Sequence, residues 1–147
     1  MNKLEREEIN ALPKQTGSLS AKTTRWPTSD PRNTIDTHDV FFRDYMPDYY
    51  DVGGRVEGDD YFTSVIFEIP KNVQSGEHDV GQGGIDARYY VLVGEEEESY
   101  RAVSGKIKLS VKSEGIHFEA EDFHFVGRRG SAGKTVELIL GKFSISR

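Results

Sequence analysis

Acid–base, nucleophilic or metal chemistry in this 147-residue chain must be built from four scattered histidines, His38, His78, His117 and His124, and from 25 Asp and Glu residues, because it has no cysteine. The same absence removes disulfides, thiol catalysis and cysteine-ligated zinc or iron–sulfur centres. Neither a Gly-x-Ser-x-Gly elbow nor a His-Glu-x-x-His pair occurs, so the common hydrolase and zinc-protease signatures are missing. His117, Glu119 and Glu121 share one parity of an alternating stretch, and a bulge just beyond would turn His124 toward them. These are ligand types for a divalent ion, but a flat strand face rarely converges four ligands on a point, so the set reads as a solvated face. Glu95, Glu96, Glu97 and Glu98 form an oxygen-rich run without the spacing of an EF-hand. Consecutive glutamates repel and stay hydrated, or meet a basic partner. No cofactor is expected, and calcium is the one ion that such acidic loops would suit.

Two glycine-rich strings invite a phosphate-binding reading and fail it on spacing. Gly127-Arg-Arg-Gly-Ser-Ala-Gly133-Lys134-Thr135 ends like a P-loop, yet the leading glycine is replaced by Arg128 and a strand pattern follows where a helix should stand. It reads as an exposed basic hairpin loop. Gly81-Gln-Gly83-Gly84 lacks the third spaced glycine of a dinucleotide fingerprint and precedes Ile-Asp-Ala-Arg-Tyr-Tyr, so it reads as a turn.

The most distinctive composition lies in residues 38–61, where Phe41, Phe42, Tyr45, Tyr49, Tyr50 and Tyr61 alternate with Asp39, Asp44, Asp48, Asp51, Asp59 and Asp60. Tyrosines give stiff amphipathic contact area and carboxylates accept hydrogen bonds from hydroxyl or cationic groups, a combination that suits a protein surface or a sugar. The structural alternative is a sheet whose aromatics fill the core and whose aspartates cap turns. Adjacent carboxylates such as Asp59 and Asp60 point to opposite faces of a strand and supply no acid–base geometry. The expected function is therefore a non-enzymatic protein-binding or assembly module, meeting a protein partner or another copy of itself through Tyr45, Asp48, Tyr49, Tyr50, Asp51, Asp59 and Asp60. The alternative is a small-ligand or carbohydrate-binding domain, calcium-assisted, using the same tyrosines and glycine-rich loops at 51–58 and 75–84.

The formal charge of -6 is unevenly spread. Residues 38–100 hold fifteen acids against four bases, whereas residues 101–147 hold nine bases against five acids. An acidic middle repels phosphate backbones, and Lys106, Lys108 and Lys112 on one strand face make too thin a basic footprint, so nucleic acid is not an expected partner. No apolar run is long enough to span a bilayer and the first residues lack a signal-peptide core, so a cytoplasmic location is expected.

The elements that must position these residues are mostly strands. Residues 2–12 spell a short helix with Leu4, Ile9 and Leu12 as its apolar positions, stopped by Pro13. Residues 14–37 show no period and read as an extended arm or linker, with Trp26 docking it onto the domain. From His38 onward, Ile107, Leu109 and Val111 alternate with lysines and serine, and Ile116, Phe118 and Ala120 alternate again after a glycine turn, which is a β-hairpin. Phe123 and Phe125 have the opposite parity, which requires a bulge near Glu121 and Asp122; Val136, Leu138 and Leu140 against Phe143 and Ile145 require another at Gly141. Further strands fall at 40–45, 61–69, 88–93 and 100–103, the last ended by a turn at Ser104 and Gly105. The fold class is all-β, an antiparallel β-sandwich or partly open barrel of about seven or eight strands, with residues 1–37 as helix and arm and 38–147 as the domain.

Overall fold

The computed structural model describes residues 3–44, 46–113, 115–131 and 133–147, with the helix side chains from Glu7 onward. A short helix, α1 (Lys3–Ala11), precedes ten strands: β1 (Thr16–Thr23), β2 (Thr34–Thr37), β3 (Val40–Arg43), β4 (Tyr49–Glu57), β5 (Tyr61–Pro70), β6 (Gly76–Asp79), β7 (Asp86–Val93), β8 (Glu96–Lys112), β9 (His117–Arg128) and β10 (Thr135–Ser146). All pair antiparallel in one sheet, in the order β2-β1-β10-β9-β8-β7-β5-β4-β3, with β6 on the lower half of β8.

The two ends of that order meet. Short β2 runs against β1 and short β3 against β4, so together they occupy one strand's place between β1 and β4. The Arg55 amide donates to the Asp39 carbonyl (3.0 Å), the Thr37 hydroxyl to the Arg55 carbonyl (2.9 Å), and Gln15 bridges to Val40. The result is the expected antiparallel all-β fold as a nearly closed barrel, with ten strands where seven or eight were expected, and closure removes the long free edges that an open sheet would expose. We call the end carrying the β4–β5, β7–β8 and β9–β10 connections the upper end.

Alternation sorts the side chains. Inward positions build one core in which Phe67 meets Phe123 edge-on at 4.9 Å and Phe143 at 5.5 Å, with Phe125, Leu138 and Ile145 buried beside them. A second, smaller cluster of Phe41, Phe62, Ile66 and Tyr90 lies on the outer face of β3, β4, β5 and β7 and is covered by Ile9 of α1. The helix stops before Pro13, and Arg55, buried on the same face, donates to the carbonyls of Ile9 and Leu12, satisfying groups left open where the helix ends. Ile9→Ala is expected to cost about 2 kcal/mol, read as a lower urea midpoint with an unchanged slope.

Several expectations are corrected. Where residues 14–37 suggest an arm, β1 and β2 are integral strands, and their Leu19, Ala21 and Ile35 are core residues. Their serine and threonine content hid an alternation that the barrel needs only on its inner face. The expected loop at 51–58 is strand β4: Gly53 lets the Phe41 ring lie against the backbone, and Gly54 leaves room for Leu19 and Thr37. Ser104 and Gly105 do not turn the chain; β8 runs through them with a register shift between Ala102 and Ser104. The hairpin of β8 and β9 has its bulge where expected, since Lys108 opposes Asp122 and Leu109 opposes Ala120, which leaves Glu121 as the extra residue. Ile116 sits in the turn and is half-exposed. Leu140 was expected to face inward but is 72% exposed with φ 54°, because the shift begins one residue before Gly141.

Candidate functional site

The interior changes character toward the upper end. Phenylalanines fill the middle, whereas the inward positions near the upper rim are Tyr61, Thr63, Tyr89, Glu98 and Tyr100, with Thr23 from β1. Trp26, in the β1–β2 connection, roofs this layer. Its ring meets Tyr61 edge-on at 6.0 Å and is contacted by two guanidinium groups, Arg25 at 4.2 Å and Arg32 at 3.7 Å. Trp26 thus docks onto the barrel as its type suggested. Asp30 holds Arg32 in place by ion pairing at 2.6 Å and by capping the Pro31–Asn33 turn.

Glu98 is the charged centre of the layer. It is 8% exposed and accepts two bonds from Arg25, at 2.5 and 2.7 Å, and a third from the Tyr100 hydroxyl at 2.5 Å. The Arg25 hydrogen bond holds its carboxyl down at about 2. Burial, helped by the bond to Glu98, pushes the Tyr100 hydroxyl up to about 12. Tyr89 stacks on Tyr100 at 5.9 Å and is likewise raised by burial. The expected hydrated glutamate run is therefore corrected at its last member: Glu98 has the same parity as Tyr100 and Ala102, and faces in.

Above this centre lies a small polar pocket of about 260 Å³ lined by Thr24, Arg25, Glu98, Tyr100, Arg129 and Lys134, with Thr135 and Val136. Arg129 reaches across it to the Glu97 carbonyl at 3.2 Å. With Glu98 neutralised by Arg25, the remaining charged groups on its wall, Arg129 and Lys134, are both cations. Inward parity of polar residues at 61, 63, 98 and 100 was the signal for this layer. It was unreadable without the register that makes those positions inward.

The residues singled out in 38–61 are not gathered. Tyr50 faces in at the lower end, packed on Phe42 at 4.7 Å and Phe118 at 6.0 Å, with the Lys71 ammonium 4.9 Å from its ring. Asp51 is fully buried on the outer face, gripped by Arg43 at 2.5 and 3.0 Å. Tyr49 is half-buried beside Glu68, whose charge raises its hydroxyl pKa. Asp48 is exposed at the lower end. Asp59 and Asp60 are exposed at the opposite end, in the β4–β5 turn. The strand between them is about 26 Å long at roughly 3.3 Å per residue. Tyr45 lies outside the described residues.

The other candidate groups separate too. Lys106, Lys108 and Lys112 pair with Asp79, Glu121 and Glu119 at 2.5, 2.6 and 3.1 Å, which makes that face a self-neutralised one. His117 is engaged at both nitrogens, by Ser146 at 2.6 Å on Nδ1 and by Glu119 at 3.0 Å and Ser144 at 3.1 Å on Nε2. The two serines come from β10 and could not be placed beside His117 from spacing alone. This set lies on an open strand face at the lower end. His124 is on the far side of the bulge, and among the described residues no three His, Asp or Glu gather as a metal-binding group. No described helix is long and apolar enough to cross a membrane. Compared with protein-family models, characterised proteins and solved structures, the chain matches none of the three.

Proposed function

We propose that the protein is a binding module that holds a small anionic ligand at the upper mouth of the barrel. The observation that carries this is the polar pocket whose only carboxylate among the described residues, Glu98, is consumed by Arg25, leaving Arg129 and Lys134 facing it. Barrel mouths are a recurrent ligand position, and a pocket of about 260 Å³ suits a ligand of a few heavy atoms. Binding fits the site better than turnover does: Glu98, held at about 2, and Tyr100, held at about 12, exchange no proton near neutral pH, where a general acid or base must work. The earlier expectation of an assembly surface on residues 38–61 has weaker support, since Tyr50 points inward, Asp51 is buried and the exposed aspartates sit at opposite ends.

Calorimetric titration of the full chain with acetate, succinate and sulfate tests the reading. At least one of these anions should bind, and Lys134→Ala should weaken it about tenfold, the scale of one charge-assisted hydrogen bond. Absence of binding by all three, or wild-type affinity in both Lys134→Ala and Arg129→Ala, would overturn it.

A further inference from the structure

The two glycine-rich strings that fail separately as phosphate motifs are brought together by the fold. A groove of about 610 Å³ on the outer face of the upper barrel is lined by Gly81, Gln82, Gly83 and Gly84 on one side, Arg128 and Gly130 on the other, and Ser99, Arg101 and Asp86 between. It is separate from the mouth pocket: Arg128 faces outward and Arg129, the next residue, faces the mouth.

Register places three arginines in one row across the groove floor and its flank. Arg88 of β7 opposes Arg101 of β8, and Arg101 opposes Arg128 of β9. Like charges directly opposite on neighbouring strands are destabilising. Arg88 is relieved by Glu68 at 3.4 Å and Arg101 by Asp86 at 3.0 Å. Those carboxylates oppose each other one rung away, through the Glu68 and Asp86 pairing of β5 with β7. The described residues show no such acid for Arg128, which is exposed. The row therefore carries more positive charge toward Arg128 than the sheet neutralises.

The glycine turn completes the wall. Its own hydrogen bonds use the amides of Gly81, Gly84 and Ile85, which leaves those of Gln82 and Gly83 at the tip outside these bonds. Gly83 has φ 79° and open space where a Cβ would stand, so backbone there can approach a ligand closely. Amides that a turn does not use for itself, on the wall of a groove that also carries arginine forks, are donors of the kind that a phosphoryl group recognises.

We propose that this groove is a second binding site, taking a phosphoryl group of a small molecule between Arg101, Arg128 and the Gly81–Gly84 turn. The probe is inorganic pyrophosphate, titrated calorimetrically into the full chain, with thermal melts run in anion-free buffer and in pyrophosphate. The wild-type chain should bind and melt higher with pyrophosphate. Arg128→Gln should lower the affinity at least about tenfold. The same variant should melt higher than wild type in anion-free buffer, because it removes the opposed charge. The binding that Arg128→Gln weakens should persist in Lys134→Ala, whose side chain is absent from the groove lining, which separates this site from the mouth pocket whatever the fate of the latter. The proposal is overturned if pyrophosphate does not bind, if Arg128→Gln binds it as wild type does, or if Lys134→Ala abolishes binding and Arg128→Gln does not.

Discussion

Arg25→Ala is expected to destabilise the protein by about 3 kcal/mol at neutral pH, because it leaves the nearly buried Glu98 carboxylate with the Tyr100 hydroxyl as its remaining hydrogen-bond donor and only the more distant charge of Arg129. Some of the loss is packing, since the same guanidinium lies 4.2 Å from the Trp26 ring. The electrostatic part has a pH signature. In the wild type Glu98 titrates at about 2, below its ordinary 4.5, so its contribution is complete above pH 4.5 and disappears as pH falls toward 2. Without Arg25 the folded-state pKa moves back up, and protonation relieves the buried charge at milder acidity. The stability gap between wild type and variant should therefore narrow from pH 7 to pH 3, as read from urea midpoints across that range. A gap that stays constant with pH would show that Arg25 acts through Trp26 alone.

Gly141→Ala is expected to cost about 3 kcal/mol. A methyl group on Gly141 would stand 2.4 to 2.5 Å from three atoms of the Phe123 ring. That ring cannot retreat easily, because it is fully buried against Phe67 at 4.9 Å and Phe143 at 6.0 Å. Interiors packed to crystal density have no slack of this size. The double variant Gly141→Ala with Phe123→Leu should be less destabilised than the sum of the singles, since the smaller side chain vacates the overlap. Additive losses in thermal or urea unfolding would mean that the backbone of β10, not the ring, absorbs the methyl group.

Legibility followed periodicity. The β8–β9 hairpin was readable because Ile107, Leu109, Val111, Phe118 and Ala120 keep a strict period of 2 and the shift to Phe123 names its own bulge. The bulge of β10 was readable only to within a residue, and that residue decides whether Leu140 is core or surface. Strand β1 was not readable, since Leu19 and Ala21 alone mark its inner face among serines, threonines and lysines. The segment 38–61 misled for a related reason: tyrosine and aspartate are compatible with surface and interior alike, and here Tyr50 and Asp51, adjacent in sequence, lie on opposite faces of the same strand, the first partly buried against the core and the second fully buried on the outer face.

What the amino-acid order determined by itself was local: an all-β chain, its strongest hairpin, two bulges, a Trp that docks, and the absence of thiol chemistry. Each of these follows from side-chain type and spacing over fewer than ten or so residues, the range across which strand alternation and turn chemistry act. Only the tertiary structure decided that β2 and β3 close the barrel, that Arg25 meets Glu98 across 73 residues of chain, and that Arg101 opposes Arg128 beside the Gly81–Gly84 turn. Those juxtapositions depend on strand order and register. Both are set by the collective burial of a core drawn from every strand around the barrel, which no local window of sequence contains.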